Sequence, residues 1–185
     1  RRPVLDFGVC AATPRPMTTP NLAIVNARPD QLAGVRALAE TVWRAHYPGI
    51  IAPEQIDHML ARGYSDDALA PFVDGGDRGL ELALVDGEPA GFAAWYATDR
   101  VGEAKLDKLY VLPTAQRCGV GGALIARVAA KALALGAASV ILNVNKRNAQ
   151  AIRAYEKHGF AVKKSVVVDI GEGFVMDDYV MEKRV

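Results

Sequence analysis

Leu106-Asp107-Lys108-Leu109-Tyr110-Val111-Leu112-Pro113-Thr114-Ala115-Gln116-Arg117-Cys118-Gly119-Val120-Gly121-Gly122-Ala123-Leu124 is the stretch around which the chain is organised. It opens with strand-like alternation that Pro113 stops, turns through a glycine-rich corner, and enters an Ala/Leu/Val segment of helical spacing. A strand, an anion-binding corner and a helix follow one another. The first N–H groups of a helix have no partner within it and sit at its positive end, so such a corner suits a phosphate or pyrophosphate. Gly119, Gly121 and Gly122 let a ligand approach the backbone closely, and Arg117 adds a fixed positive charge.

Two better-known phosphate corners do not fit. A P-loop needs Gly-Lys-Ser/Thr after four intervening residues, and the sequence has none. A dinucleotide fingerprint needs a third glycine in register and an acid about 20 positions on, whereas residues 139–143 contain no acid. What the corner spells is Gln116-Arg117-Cys118-Gly119-Val120-Gly121, which resembles the Q/R-x-x-G-x-G/A loop of the GCN5-related N-acetyltransferase (GNAT) superfamily. The run Asn148-Ala149-Gln150-Ala151-Ile152-Arg153-Ala154-Tyr155-Glu156-Lys157-His158-Gly159-Phe160 is similar to the second signature of that superfamily, N-x-x-A-x-x-x-Y-x-x-x-G-F, at every position. Asn148, Ala151 and Tyr155 stand three and four apart, on one helical face.

The resemblance covers nearly the whole chain from Leu22 onward. It implies an α/β fold: a mixed, mostly antiparallel sheet of about seven strands flanked by about four helices, with a V-shaped splay between strands 4 and 5. In such proteins the pantetheine arm of acetyl-CoA pairs with the splayed strand. Leu109, Tyr110 and Val111 are then expected to offer main-chain contacts, and an N–H near Leu109 to polarise the thioester carbonyl. Gln116, Arg117, Cys118, Gly119, Val120, Gly121 and Gly122 are expected at the diphosphate, with Asn148, Ala151 and Tyr155 completing the acetyl-CoA site.

The implied chemistry is acyl transfer to an amine. An alkylammonium with a pKa of about 10.4 must lose a proton before it attacks. Tyr155 matches the family's usual general acid. A phenol near pKa 10 donating to a thiolate whose conjugate acid is near 8.5 moves a proton uphill by about 2 kcal/mol, so a hydrogen bond to the leaving sulfur is an equal part of its expected role. Asp107 is the expected base, because alternation puts it on the face of Leu109 and Val111. Glu103, His46 and His58 are further proton acceptors within the same reading. Trp43, His46 and Tyr47 are expected on the acceptor side. The runs 43–51, 54–60 and 175–183 resemble a bacterial subgroup containing polyamine acetyltransferases of the PaiA type. That suggests a small primary amine, with Asp107, Asp177 and Asp178 as counter-charge. Amino acids, aminoglycoside-like compounds and protein acceptors stay open, as does a non-catalytic acyl-CoA-binding module.

The remaining sequence sets boundaries. A chain of 185 residues, 51% of them hydrophobic, suits one domain with a substantial core. A net charge of +1 gives no field for nucleic acid, and no apolar run approaches a membrane span. Two cysteines, Cys10 and Cys118, make no disulfide framework, so a cytoplasmic location is expected, with no metal. Residues 1–20, rich in proline and threonine, read as an N-terminal extension outside a single domain spanning 21–185. Exposed terminal strands make a homodimer a reasonable expectation.

Overall fold

A computed structural model describes residues 21–185; the expectation for residues 1–20 lies outside them. The chain forms β1 (Leu22–Asn26), α1 (Leu32–His46), α2 (Pro53–Gly63), α3 (Asp66–Leu69), β2 (Arg78–Val85), β3 (Glu88–Ala97), β4 (Glu103–Val111), α4 (Val120–Ala134), β5 (Ser139–Asn145), α5 (Ala149–Lys157), β6 (Ala161–Gly171) and β7 (Phe174–Arg184). The strands form one sheet in the order β1-β2-β3-β4-β5-β7-β6. Neighbours run antiparallel except β4 and β5, which are parallel. This is the expected mixed, mostly antiparallel sheet. Five helices flank it, α3 being a single turn.

Local chemistry accounts for the elements. Asp86 and Gly87 both adopt positive φ, 52° and 88°, the conformation that two-residue hairpin turns need, and so join β2 to β3. Ser65 caps α3 by accepting the Ala68 N–H at 3.2 Å. Gly159, at φ 86°, stops α5 where a side chain would be strained.

Each face of the sheet carries its own apolar cluster. Val120, Leu124, Val128 and Ala132 of α4 pack with Ala93, Leu106, Leu142 and Met181, and residues of α5 join them. On the other side Val35, Leu38 and Val42 of α1 and Ile56 of α2 pack with Leu80, Leu82 and Phe92. The two faces therefore supply separate walls for anything that passes through the sheet.

The outer face of α4 sends one charge back to the sheet. Arg127 Nε donates to Glu81 Oε2 at 3.1 Å, and Trp95 Nε1 donates to the other oxygen at 3.2 Å. Glu81 is 1% exposed. The strand's alternation turns this acid inward, and only the helix arginine neutralises it. Arg127→Leu strands a buried carboxylate, and we expect it to lower stability by about 2–4 kcal/mol at pH 7, read in a denaturant titration.

Candidate active site

Pairing between β4 and β5 runs from Glu103 opposite Ser139 to Leu106 opposite Leu142, and stops there. β4 continues to Val111 bonded only to β3, while β5 continues to Asn145 bonded only to β7. Residues 107–111 and 143–145 thus direct main-chain donors and acceptors at each other across a widening gap. A bulge marks where the strands part. Lys108 pairs with Ala94 and Leu106 with Trp95, leaving Asp107 as the extra residue. Bulges add twist and bend the strand that carries them, in keeping with the divergence.

The same bulge changes where Asp107 points. Alternation predicts the face of Leu109 and Val111, which pack toward α4. The carboxylate instead meets Lys108 Nζ at 2.5 Å and Lys105 Nζ at 3.5 Å. Lys108 Nζ lies over the rings of Tyr64 and Phe72, on the α1–α2 side. An extra residue reverses the parity of a strand, and a sequence pattern that assumes regular pairing does not register it.

The glycine corner lies at the open end of β4. Arg117 and Gly119 take left-handed conformations, φ 62° and 84°, and Gly119 precedes the first turn of α4. The first α4 bond of this turn is Ala123 N–H to Gly119 C=O, at 3.0 Å. The N–H groups of residues 117–122 find no acceptor among the described residues. Six consecutive unpartnered donors at a helix N-terminus form a cradle for a diphosphate. Gln116 shapes it by donating to the Val111 carbonyl at 3.3 Å. Cys118 is exposed, and Val120 is 1% exposed, so its side chain anchors the helix while its N–H faces the corner. Gly122 has a packing duty besides: a Cβ there would lie 2.6 Å from His158 Cε1. The N–H cradle and the open strand edges fit the diphosphate and the amide-bearing arm of acetyl-CoA.

α5 forms the adjoining wall. Asn148 is 5% exposed, and its Oδ1 accepts the Ala151 N–H at 3.1 Å and meets His46 Nε2 at 3.1 Å. It caps α5 and ties that helix to the end of α1. Ala151 and Tyr155 pack on the α4-side cluster, with the Tyr155 ring 5.8 Å from that of Phe160. Burial pushes the Tyr155 phenol up to about 12. Tyr155 is also close enough to influence the hydroxyls of Tyr47 and Tyr110, which belong to the opposite face. Groups from both walls therefore converge at the gap.

On the α1–α2 side the expected acceptor residues separate. Trp43 is 2% exposed, stacks on Tyr47 at 4.2 Å, and donates its indole N–H to Tyr64 at 3.0 Å. It lies behind Tyr47, which is only partly buried and nearer the gap. Burial raises the phenols of Tyr47, Tyr64 and Tyr110, so this hydroxyl cluster stays protonated. His58 is elsewhere, holding the Ile170 carbonyl at 2.9 Å, and Glu103 is engaged by Thr98 and Lys163.

Asp178 stands out from the other two counter-charge residues. It sits on β7 opposite Asn145, at the end of β5, where β4 has already departed. It is 5% exposed, and its Oδ1 has no hydrogen-bond partner among the described residues. Desolvation first, and the neighbouring Asp177 second, raise its carboxyl to about 6. Asp177, by contrast, is half-exposed and paired with Lys146 at 2.5 Å. The register of β7 on β5 creates this difference between two adjacent acids.

Comparison with known proteins agrees with this geometry. The sequence profile of the Acetyltransferase (GNAT) family matches residues 36–160. The chain belongs to this family and is an acetyl-CoA-dependent acyltransferase. An uncharacterized N-acetyltransferase of Mycobacterium bovis is 32% identical over 155 residues, covering 84% of this chain and 96% of that protein. The fold is similar to that of the PaiA N-acetyltransferase of Thermoplasma acidophilum, solved in complex with coenzyme A. That likeness has a TM-score of 0.76 at 22% identity, over 89% of this chain and 99% of the other. The ribosomal-protein-S18-alanine N-acetyltransferase of Escherichia coli is also similar, with a TM-score of 0.66 at 21% identity over 89% of this chain and 94% of that one.

Proposed function

We propose that the protein transfers the acetyl group of acetyl-CoA to a small, cationic primary amine of polyamine type, by direct attack at the thioester. The observation that carries this reading is the gap opening beyond Leu106 and Leu142, with the unpartnered N–H groups of residues 117–122 at one end and a buried carboxylate, Asp178, across it. Main-chain N–H groups of Leu109 and Val111, the alternate positions that face away from β3, orient the thioester and oppose the negative charge that develops on its oxygen. Tyr155 hydrogen-bonds the departing sulfur. The tyrosines of α1 and β4 form an apolar, protonated wall that desolvates the incoming amine. Negative charge at Asp178 favours a cation over a neutral or acidic acceptor.

Use of acetyl-CoA supports a cytoplasmic setting. The exposed valines of the β6 edge, Val162, Val167 and Val168, support self-association as a homodimer. An acceptor screen tests the activity: acetyl-CoA is offered with polyamines, amino acids, aminoglycosides and peptides, and products are read by mass. The polyamines are expected to be acetylated most efficiently. Acetylation of peptides alone would favour a protein acceptor, and tight CoA binding without product would favour a binding module.

A further inference from the structure

Among the described residues, the acid at the gap with a buried, unpartnered oxygen is Asp178, which is not the residue that strand alternation nominates. Asp107 has lysine ammonium groups on both oxygens. Asp178 Oδ1 has none among the described residues, although the residue is only 5% exposed. A folded protein rarely keeps a buried carboxylate oxygen unpartnered, because desolvating it without compensation is costly. Such groups recur where a ligand supplies the missing partner.

We propose that Asp178 is the proton acceptor of the reaction, taking the acceptor amine as an ammonium ion on Oδ1 and removing its proton. This rests on the acetyl-transfer reading above and adds the residue that activates the nucleophile. The charged and titratable groups around Asp178 are consistent with the task. Tyr47 faces it from the end of α1, Lys105 from β4, Lys146 from the end of β5, and Asp177 from its own strand. The two lysines do not ion-pair with it: Lys146 is held by Asp177 and Lys105 by Asp107. The carboxyl's rise to about 6 makes it a stronger base than an ordinary aspartate, yet leaves it ionised at neutral pH.

The protons balance. The ammonium gives one proton to Asp178, and the neutral amine forms the new C–N bond to the acetyl carbon. As the C–S bond breaks, sulfur departs as a thiolate held by the Tyr155 hydroxyl, and the proton that the new amide nitrogen loses makes it the thiol. Asp178 then releases its proton to water. One ammonium and one thioester yield one amide, one thiol and one proton.

The pH profile of kcat/KM for a polyamine tests this, in wild type and in the isosteric Asp178→Asn. Wild type should climb to a plateau above about pH 6, because the ammonium is then the productive form. Asp178→Asn must wait for free amine, so its rate should rise about tenfold per pH unit toward the amine's own pKa. A deficit of about 100-fold at pH 7 should therefore narrow to a few-fold by pH 9. CoA affinity should be unchanged, since Asp178 lies across the gap from the diphosphate corner. A merely structural carboxylate gives a deficit that does not narrow with pH. Wild-type rates that rise steadily through pH 6–9 overturn the proposal without any variant, as does an Asp178→Asn profile that parallels wild type. If wild type acetylates no amine at all, the acetyl-transfer reading itself fails, a result distinguishable from either of these.

Discussion

Tyr155→Phe is expected to lower turnover about 100-fold while leaving acetyl-CoA affinity within about twofold. The phenol lies partly buried in the α5 wall, and its packing on Phe160 and the α4-side cluster needs only the ring, which phenylalanine retains. What the variant loses is the hydroxyl at the gap. Burial holds this group near 12, so complete proton transfer to a thiolate of ordinary basicity is uphill by about 5 kcal/mol. The hydroxyl thus works chiefly as a hydrogen-bond donor that strengthens as charge gathers on sulfur. Because it stays protonated, the wild-type rate should show no fall on the alkaline side up to about pH 10. Stopped-flow kinetics with calorimetric CoA binding would check both halves, and an unchanged rate removes Tyr155 from the chemistry.

Gly121→Leu separates cofactor capture from folding. Gly121 lies in the first turn of α4 with ordinary helical geometry, and a Cβ there meets only Val111 Cγ2, at 3.8 Å. The backbone accepts a side chain, and a leucine is a better helix former than glycine by up to about 1 kcal/mol. The branched side chain would rise beside the unpartnered N–H groups and cover them. Losing two charge-assisted bonds of about 1.5 kcal/mol or more each weakens CoA binding roughly 100-fold or beyond. We expect a melting temperature equal to or above that of wild type, together with that loss. Retained affinity would show that the diphosphate rests elsewhere.

These two positions were legible because their signals are local. A glycine corner between strand and helix, and a polar cap with a tyrosine two helical turns on, are patterns a short window contains. Features that depend on register or on distant partners were not. The bulge that turns Asp107 toward two lysines is set by how β3 pairs with β4. Trp43 and Tyr47 look equivalent on a helical projection, yet packing against Tyr64 and Tyr110 buries the first and leaves the second beside the gap. Gly122 read as a phosphate-loop glycine, although the space it leaves is also used by His158 from the next helix. Asp177 and Asp178 differ only through strand pairing, which gives one a lysine and leaves the other with a bare oxygen.

Amide hydrogen exchange measured with and without CoA addresses the central claim most directly. Strong protection on binding is expected at Leu109, Val111 and residues 117–122, whose main-chain donors face the gap or the corner and lack partners among the described residues. Saturating CoA that leaves those amides exchanging as before would contradict it.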